Sequence, residues 1–131
     1  TQTAANVRIT STSLVTIVNA GETVTPGMPG YKLAADSEYY KASSSTSITA
    51  AADGIFIGDA DDGDRVSFCT KGDMDIGATL VIGESYFVSN TTGKIMPSGD
   101  VSTGEFVTYL GTADTTSNIN IVINQSGVAR P

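Results

Sequence analysis

The chain has 131 residues, of which 40% are apolar and 16% charged, with a net charge of −7 and a pI near 4.2. That is one ordinary domain, or two very small units on a shared core, long enough to bury roughly two-thirds of its unfolded surface without staples. Seven scattered Lys and Arg against 14 Asp and Glu argue against a nucleic-acid partner, which needs clustered cations, and no apolar run approaches the ~20 residues that cross a bilayer.

Val7-Arg8-Ile9-Thr10 alternates like a half-buried strand, and Leu14-Val15-Thr16-Ile17-Val18 reads as a second, more apolar one before the turn at Asn19-Ala20-Gly21. These residues are either a hairpin completing a sheet or an arm that packs on a neighbour. Pro26-Gly27-Met28-Pro29-Gly30 is a turn cluster that a central strand would refuse, so the next strand is expected around Tyr31 to Ala34. Tyr39 to Ala42 follows as a strand whose adjacent tyrosines face opposite sides. The low-complexity stretch Ser43 to Ala52 is expected to be a loop, with room for one helical turn. Ile55-Phe56-Ile57, an acidic turn at Asp59 to Asp64, and a strand from Arg65 to Thr70 with Val66 and Phe68 on one face complete the first half. The second half supplies strands at Leu80-Val81-Ile82, Tyr86 to Ser89, Lys94 to Met96 and Phe106 to Leu110. The clearest strand is Asn118 to Asn124, where isoleucines alternate with polar residues.

The halves run in parallel. Tyr31 to Gly58 spans 27 positions and Tyr86 to Gly111 spans 25, a difference that a polar loop absorbs. The sequence therefore predicts an all-β protein, a small sandwich or barrel of two duplicated β modules with little or no helix. An N-terminal arm or hairpin covers residues 1–24, the first module 25–77 and the second 78–131, together one compact domain.

Reactive chemistry is sparse. Without histidine, a Ser or Cys nucleophile lacks its commonest base and a zinc site its commonest nitrogen ligand. Lys32, Lys41, Lys71 and Lys94 fit no Ser-x-x-Lys spacing and read as surface charges. Asp59-Ala60-Asp61-Asp62-Gly63-Asp64 resembles a calcium loop only superficially: Gly63 comes one residue early, and the twelfth position holds Thr70 in place of a bidentate Glu. A hairpin turn with solvated acids is the simpler reading. Lone Cys69 can form no internal disulfide and reads as a small apolar filler. No catalytic residue, cofactor or metal site is expected, and Thr1 to Asn6 lacks a secretory leader's pattern, so the expectation is a soluble chain made in a cytoplasm.

Gly54 to Val66, Gly83-Glu84-Ser85-Tyr86-Phe87-Val88, Phe106 to Ala113 and Gly127-Val128-Ala129 give the chain a resemblance to the capsid decoration, or cement, proteins of tailed bacteriophages. It covers roughly residues 24 to 131. The resemblance implies a structural virion protein with no enzymatic activity, made in the host bacterium. It implies binding to the major capsid protein on the outside of the expanded shell as a homo-oligomer, commonly a trimer. Candidate interface residues are Val7, Ile9, Leu14, Val15, Ile17 and Val18 in the arm, which could add a strand to a partner, with Tyr39 and Tyr40 beside them. Two competing expectations are a tail or fibre module binding a host glycan through Tyr39, Tyr40 and the acidic turn, and a small carboxylate-dependent hydrolase.

Overall fold

The structure, a computed structural model, describes residues 8–9, 14–77 and 79–130. Ten strands form among them: β1 (Arg8–Ile9), β2 (Leu14–Asn19), β3 (Pro29–Lys32), β4 (Tyr39–Lys41), β5 (Ala52–Phe56), β6 (Arg65–Asp75), β7 (Ser85–Val88), β8 (Ile95–Pro97), β9 (Phe106–Ala113) and β10 (Asn118–Ala129). The only helical element among these residues is a 3-10 turn at Ser98–Asp100. The strands make one curled, antiparallel half-barrel, so the all-β expectation holds.

Strand order reveals how the halves are related. Along the main path it reads β4-β3-β5-β6-β10-β9-β7-β8, and β6 also pairs with β2 and β1. The order β2-β6-β5-β3-β4 in the first half is matched by β6-β10-β9-β7-β8 in the second, so β6 closes one unit and opens the next. Residues 14 to 19, which the sequence places outside the repeat, stand to β6 as β6 stands to β10. Each unit has a bulge at the same joint, between Gly30 and Tyr31 where β3 meets β5, and between Tyr86 and Phe87 where β7 meets β9.

The glycines at those joints correct the repeat alignment. Gly54 pairs with Gly30 and Gly111 pairs with Tyr86 just before each bulge. A Cβ at Gly54 would strike the Cys69 carbonyl oxygen, and one at Gly111 the Asn120 carbonyl oxygen, so both positions let a neighbouring backbone approach. Gly111 therefore corresponds to Gly54, whereas Gly58 meets nothing nearer than the Val66 side chain at 3.5 Å.

Two apolar cores sit on opposite faces. One unites both units, with Tyr31, Ile55 and Cys69 from the first and Met74, Tyr86, Leu110, Ile119 and Ile121 from β6 and the second. The other lies inside the first unit and joins Val18, Ala20, Val24, Phe56, Val66 and Phe68. The alternation read in Asn118 to Asn124 explains the first: Ile119 and Ile121 are buried and Ile123 packs against them. Tyr39 and Tyr40 do face opposite sides, Tyr39 toward the smaller core and Tyr40 toward the larger.

Three local expectations differ. Pro29 and Gly30 belong to β3, between β4 and β5, because proline opens the strand and glycine admits the Phe56 and Phe68 rings. Leu80-Val81-Ile82 forms no strand: Leu80 is buried while Val81 and Ile82 stand 66% and 64% exposed. The serine-rich stretch is a loop of turns, but it holds no helical turn, it gives Ala52 to β5, and Ser43 and Ser44 are buried. Ser44 N donates to Ser89 O at 3.0 Å and Phe106 N to Ser44 O at 2.8 Å, which docks the stretch on the second unit.

Candidate functional site

The candidate interface residues divide by burial. Val7 lies outside the described residues, and Ile9 and Leu14 are paired through their backbones with Met74 and Lys71. Residues 14 to 19 are thus a strand of this chain's own sheet, so β2 offers a partner its side chains and its remaining edge. Val15 and Ile17 are 46% and 51% exposed, whereas Val18 is buried beside Val66 and Phe68.

Tyr39 and Tyr40 are half-buried and engaged within the chain. The Tyr39 ring lies 5.0 Å from that of Phe68, and burial, then the Asp53 charge, raises its pKa. Tyr40 donates its hydroxyl to Asp36 at 2.5 Å, and its ring covers the backbone at Gly21. That hydrogen bond first, then burial and the charges of Asp36, Glu38 and Asp62, pushes Tyr40 up to about 12.

An open groove of about 520 Å³ runs between β2 and the β3–β4 hairpin, bounded by Ile17, Lys32, Tyr39 and Arg65. It brings together three of the expected interface residues, Ile17, Val18 and Tyr39, with Lys32, which reads in sequence as a surface charge, and with Arg65. A larger cleft of about 700 Å³ lies in the second unit between residues 79–84 and β8. Leu80, Val81, Tyr86, Ile95 and Met96 give it apolar walls, and Glu84, Lys94 and Asp100 line it as charged groups. Glu84 accepts hydrogen bonds from the Ser98 hydroxyl at 2.5 Å and the Ser98 amide at 3.2 Å. Those two bonds hold its carboxyl below its usual range, which suits an acceptor and not a proton donor.

Two other polar groupings lie away from the clefts. Burial pushes Glu105 up, but hydrogen bonds from Ser44 Oγ at 2.7 Å and from the Ser102 amide, with the Arg130 charge, leave its carboxyl lowered. Asp73 is raised, first by its hydrogen bond to Asp114, then by burial and by the Asp114 charge. Neither member of that pair lines the cleft or the groove. The acidic turn is a hairpin in which Asp64 N donates to Asp61 O, and Gly63 N donates to Ala20 O. Its four aspartates are exposed, and among the described residues no group of three or more Cys, Asp or Glu is placed to hold a metal ion. Cys69 is fully buried, and that burial raises its thiol pKa, in keeping with a packing role.

The arrangement can bind through apolar surface and a sheet edge. No helix of the described residues is long and apolar enough to cross a membrane. No protein-family model matches this chain, and no curated protein matches it.

Proposed function

We propose that this protein is a structural component of a bacteriophage particle, a decoration protein that binds the outside of the capsid through the major capsid protein and reinforces the expanded shell. The observation that carries the reading is the set of exposed apolar side chains, among them Val15 and Ile17 on β2 and Val81 and Ile82 beside the cleft. Surfaces of that kind serve association, and repetition over a symmetric shell turns modest contacts into high occupancy. The resemblance to cement proteins, carried by Gly54 to Val66 and by the glycine and β-branched elements of the second half, supports the same reading.

The glycan-binding alternative is less well supported, because the Tyr39 ring packs on Phe68 and the Tyr40 ring on the backbone at Gly21. The test is co-sedimentation of purified protein with phage heads lacking it, beside host cells as competing target. Saturation on heads at a copy number fixed by shell symmetry is the expected result; binding to cells alone overturns the proposal. A form lacking residues 1–18, which removes β1 and most of β2, is expected to lose head occupancy.

A further inference from the structure

The two units share one strand order but differ in how they close. In the first, the chain leaving β2 turns directly onto β4: Ala20 bridges Tyr39 in parallel, Gly21 N donates to Tyr39 O at 2.8 Å, and Lys41 N donates to the Glu22 carboxylate at 3.0 Å. In the second, the chain leaving β6 keeps the counterparts of other first-unit bonds: Leu80 N donates to Thr116 O as Val24 N does to Ala60 O, and Gly83 N to Ala113 O as Gly27 N does to Phe56 O. What is not repeated among the described residues is the contact with the fourth strand, since Val81 N donates to the Tyr86 hydroxyl. Among the described residues β8, the counterpart of β4, pairs only with β7. What remains between them is the 700 Å³ cleft.

Its size suits a short extended segment. With ~4.8 Å between strands, ~10 Å across the faces and ~3.4 Å of rise, an extended residue fills roughly 160 Å³. A cleft of about 700 Å³ therefore holds about four residues of strand.

The chain itself carries a strand suited to that place. β2 is six residues long, pairs among the described residues only with β6, and exposes Val15 and Ile17 at alternate positions. Charges complement one another. Lys32 and Arg65 line the groove beside Ile17, and Glu84 and Asp100 line the cleft beside Val81, where Lys94 is the single cation. The contact cannot form within one molecule, because β2 is held on β6 in its own unit.

We infer that β2 of a second copy docks in the cleft of the second unit, with Val15 and Ile17 packed against Val81 and Met96 and its open edge toward β8. This makes a head-to-tail contact, which closes a ring when the rotation permits. The inference deepens the decoration reading and rests on it for a ring of three. Val15, Ile17 and Val81 are exposed, so charged substitutions there leave the fold intact.

The test mixes two single-cysteine-addition variants, Ile17→Cys and Val81→Cys, under mild oxidation, with light scattering of the unmodified protein alongside. Expected are a disulfide joining one variant to the other, a mass near three times the 13.4 kDa chain, and a self-association constant weakened about tenfold or more by either Ile17→Asp or Val81→Asp. A monomeric protein at millimolar concentration, or cross-links only between like variants, overturns the inference. Head binding by a monomer would leave the decoration reading standing without this contact, and a ring that ignores heads would do the reverse.

Discussion

Phe68→Ala should cost about 3–5 kcal/mol of folding stability, the range for truncating a fully buried phenylalanine. The upper part applies here. Phe68 has no exposed surface, and its ring lies 5.1 Å from that of Phe56 and 5.0 Å from that of Tyr39. Two further walls of its site are glycines, Gly30 and Gly54, where an added Cβ would meet the Phe68 ring at 3.0 and 2.8 Å. Glycine has no side chain to swing into the void, and both residues are fixed in β3 and β5, so the cavity relaxes little. Against a typical total of about 5–15 kcal/mol, the loss leaves a marginal protein. Urea unfolding followed by far-ultraviolet circular dichroism measures it as a shift in midpoint at constant slope. A loss below about 1 kcal/mol would refute the claim that this second core is closely packed and unable to collapse.

Gly54→Ala and Gly111→Ala should each destabilise strongly, because the new Cβ meets a carbonyl oxygen of the adjoining strand, whereas Gly58→Ala should be nearly neutral; equal effects at Gly54 and Gly58 in thermal melts would restore the alignment read from sequence. Ser44→Ala removes the hydroxyl that serves the buried Glu105 carboxylate and should cost about 1–3 kcal/mol by denaturant titration, while an unchanged midpoint would mean that water substitutes freely. The Asp73–Asp114 pair should make stability fall as pH rises. Asp73 titrates above its ordinary 3.8 when folded, so its contribution is present below that value and lost as pH rises through the folded pKa. Asp73→Asn should therefore raise the melting temperature at neutral pH and change it little at about pH 3, and the opposite pattern would show that the two carboxyls do not share a proton.

Much of the fold was readable from side-chain alternation, since Ile119 and Ile121 against Asn118 and Asn120 admit only one buried face, and adjacent Tyr39 and Tyr40 must separate. What escaped was set by neighbours distant in sequence. Val81 and Ile82 have the composition of a strand, but pairing requires an adjoining edge, and β8 does not reach them. Pro29 was refused a strand on general grounds, although the first position of a strand spares the missing N–H. The repeat register slipped because Gly54 and Gly58 look alike in sequence, and only the Cys69 carbonyl tells them apart. For the candidate site, Val15 and Ile17 were visible as alternating apolar positions. The cleft that answers them was not, because its walls, residues 79–84 and β8, are brought together only by the fold.

The double membership of β6 has a kinetic consequence. Its partners arrive from both directions along the chain: Ile17 must find Ser67, and Ile119 must find Met74, each across roughly 50 residues of intervening polypeptide. β10-β9-β7-β8 and β4-β3-β5 can pair without this strand, but only it joins them, and neither half keeps a full set of pairings once it leaves. Unfolding should thus proceed as one cooperative transition, with the slow amide-exchange core centred on β6 and both halves protected or lost together.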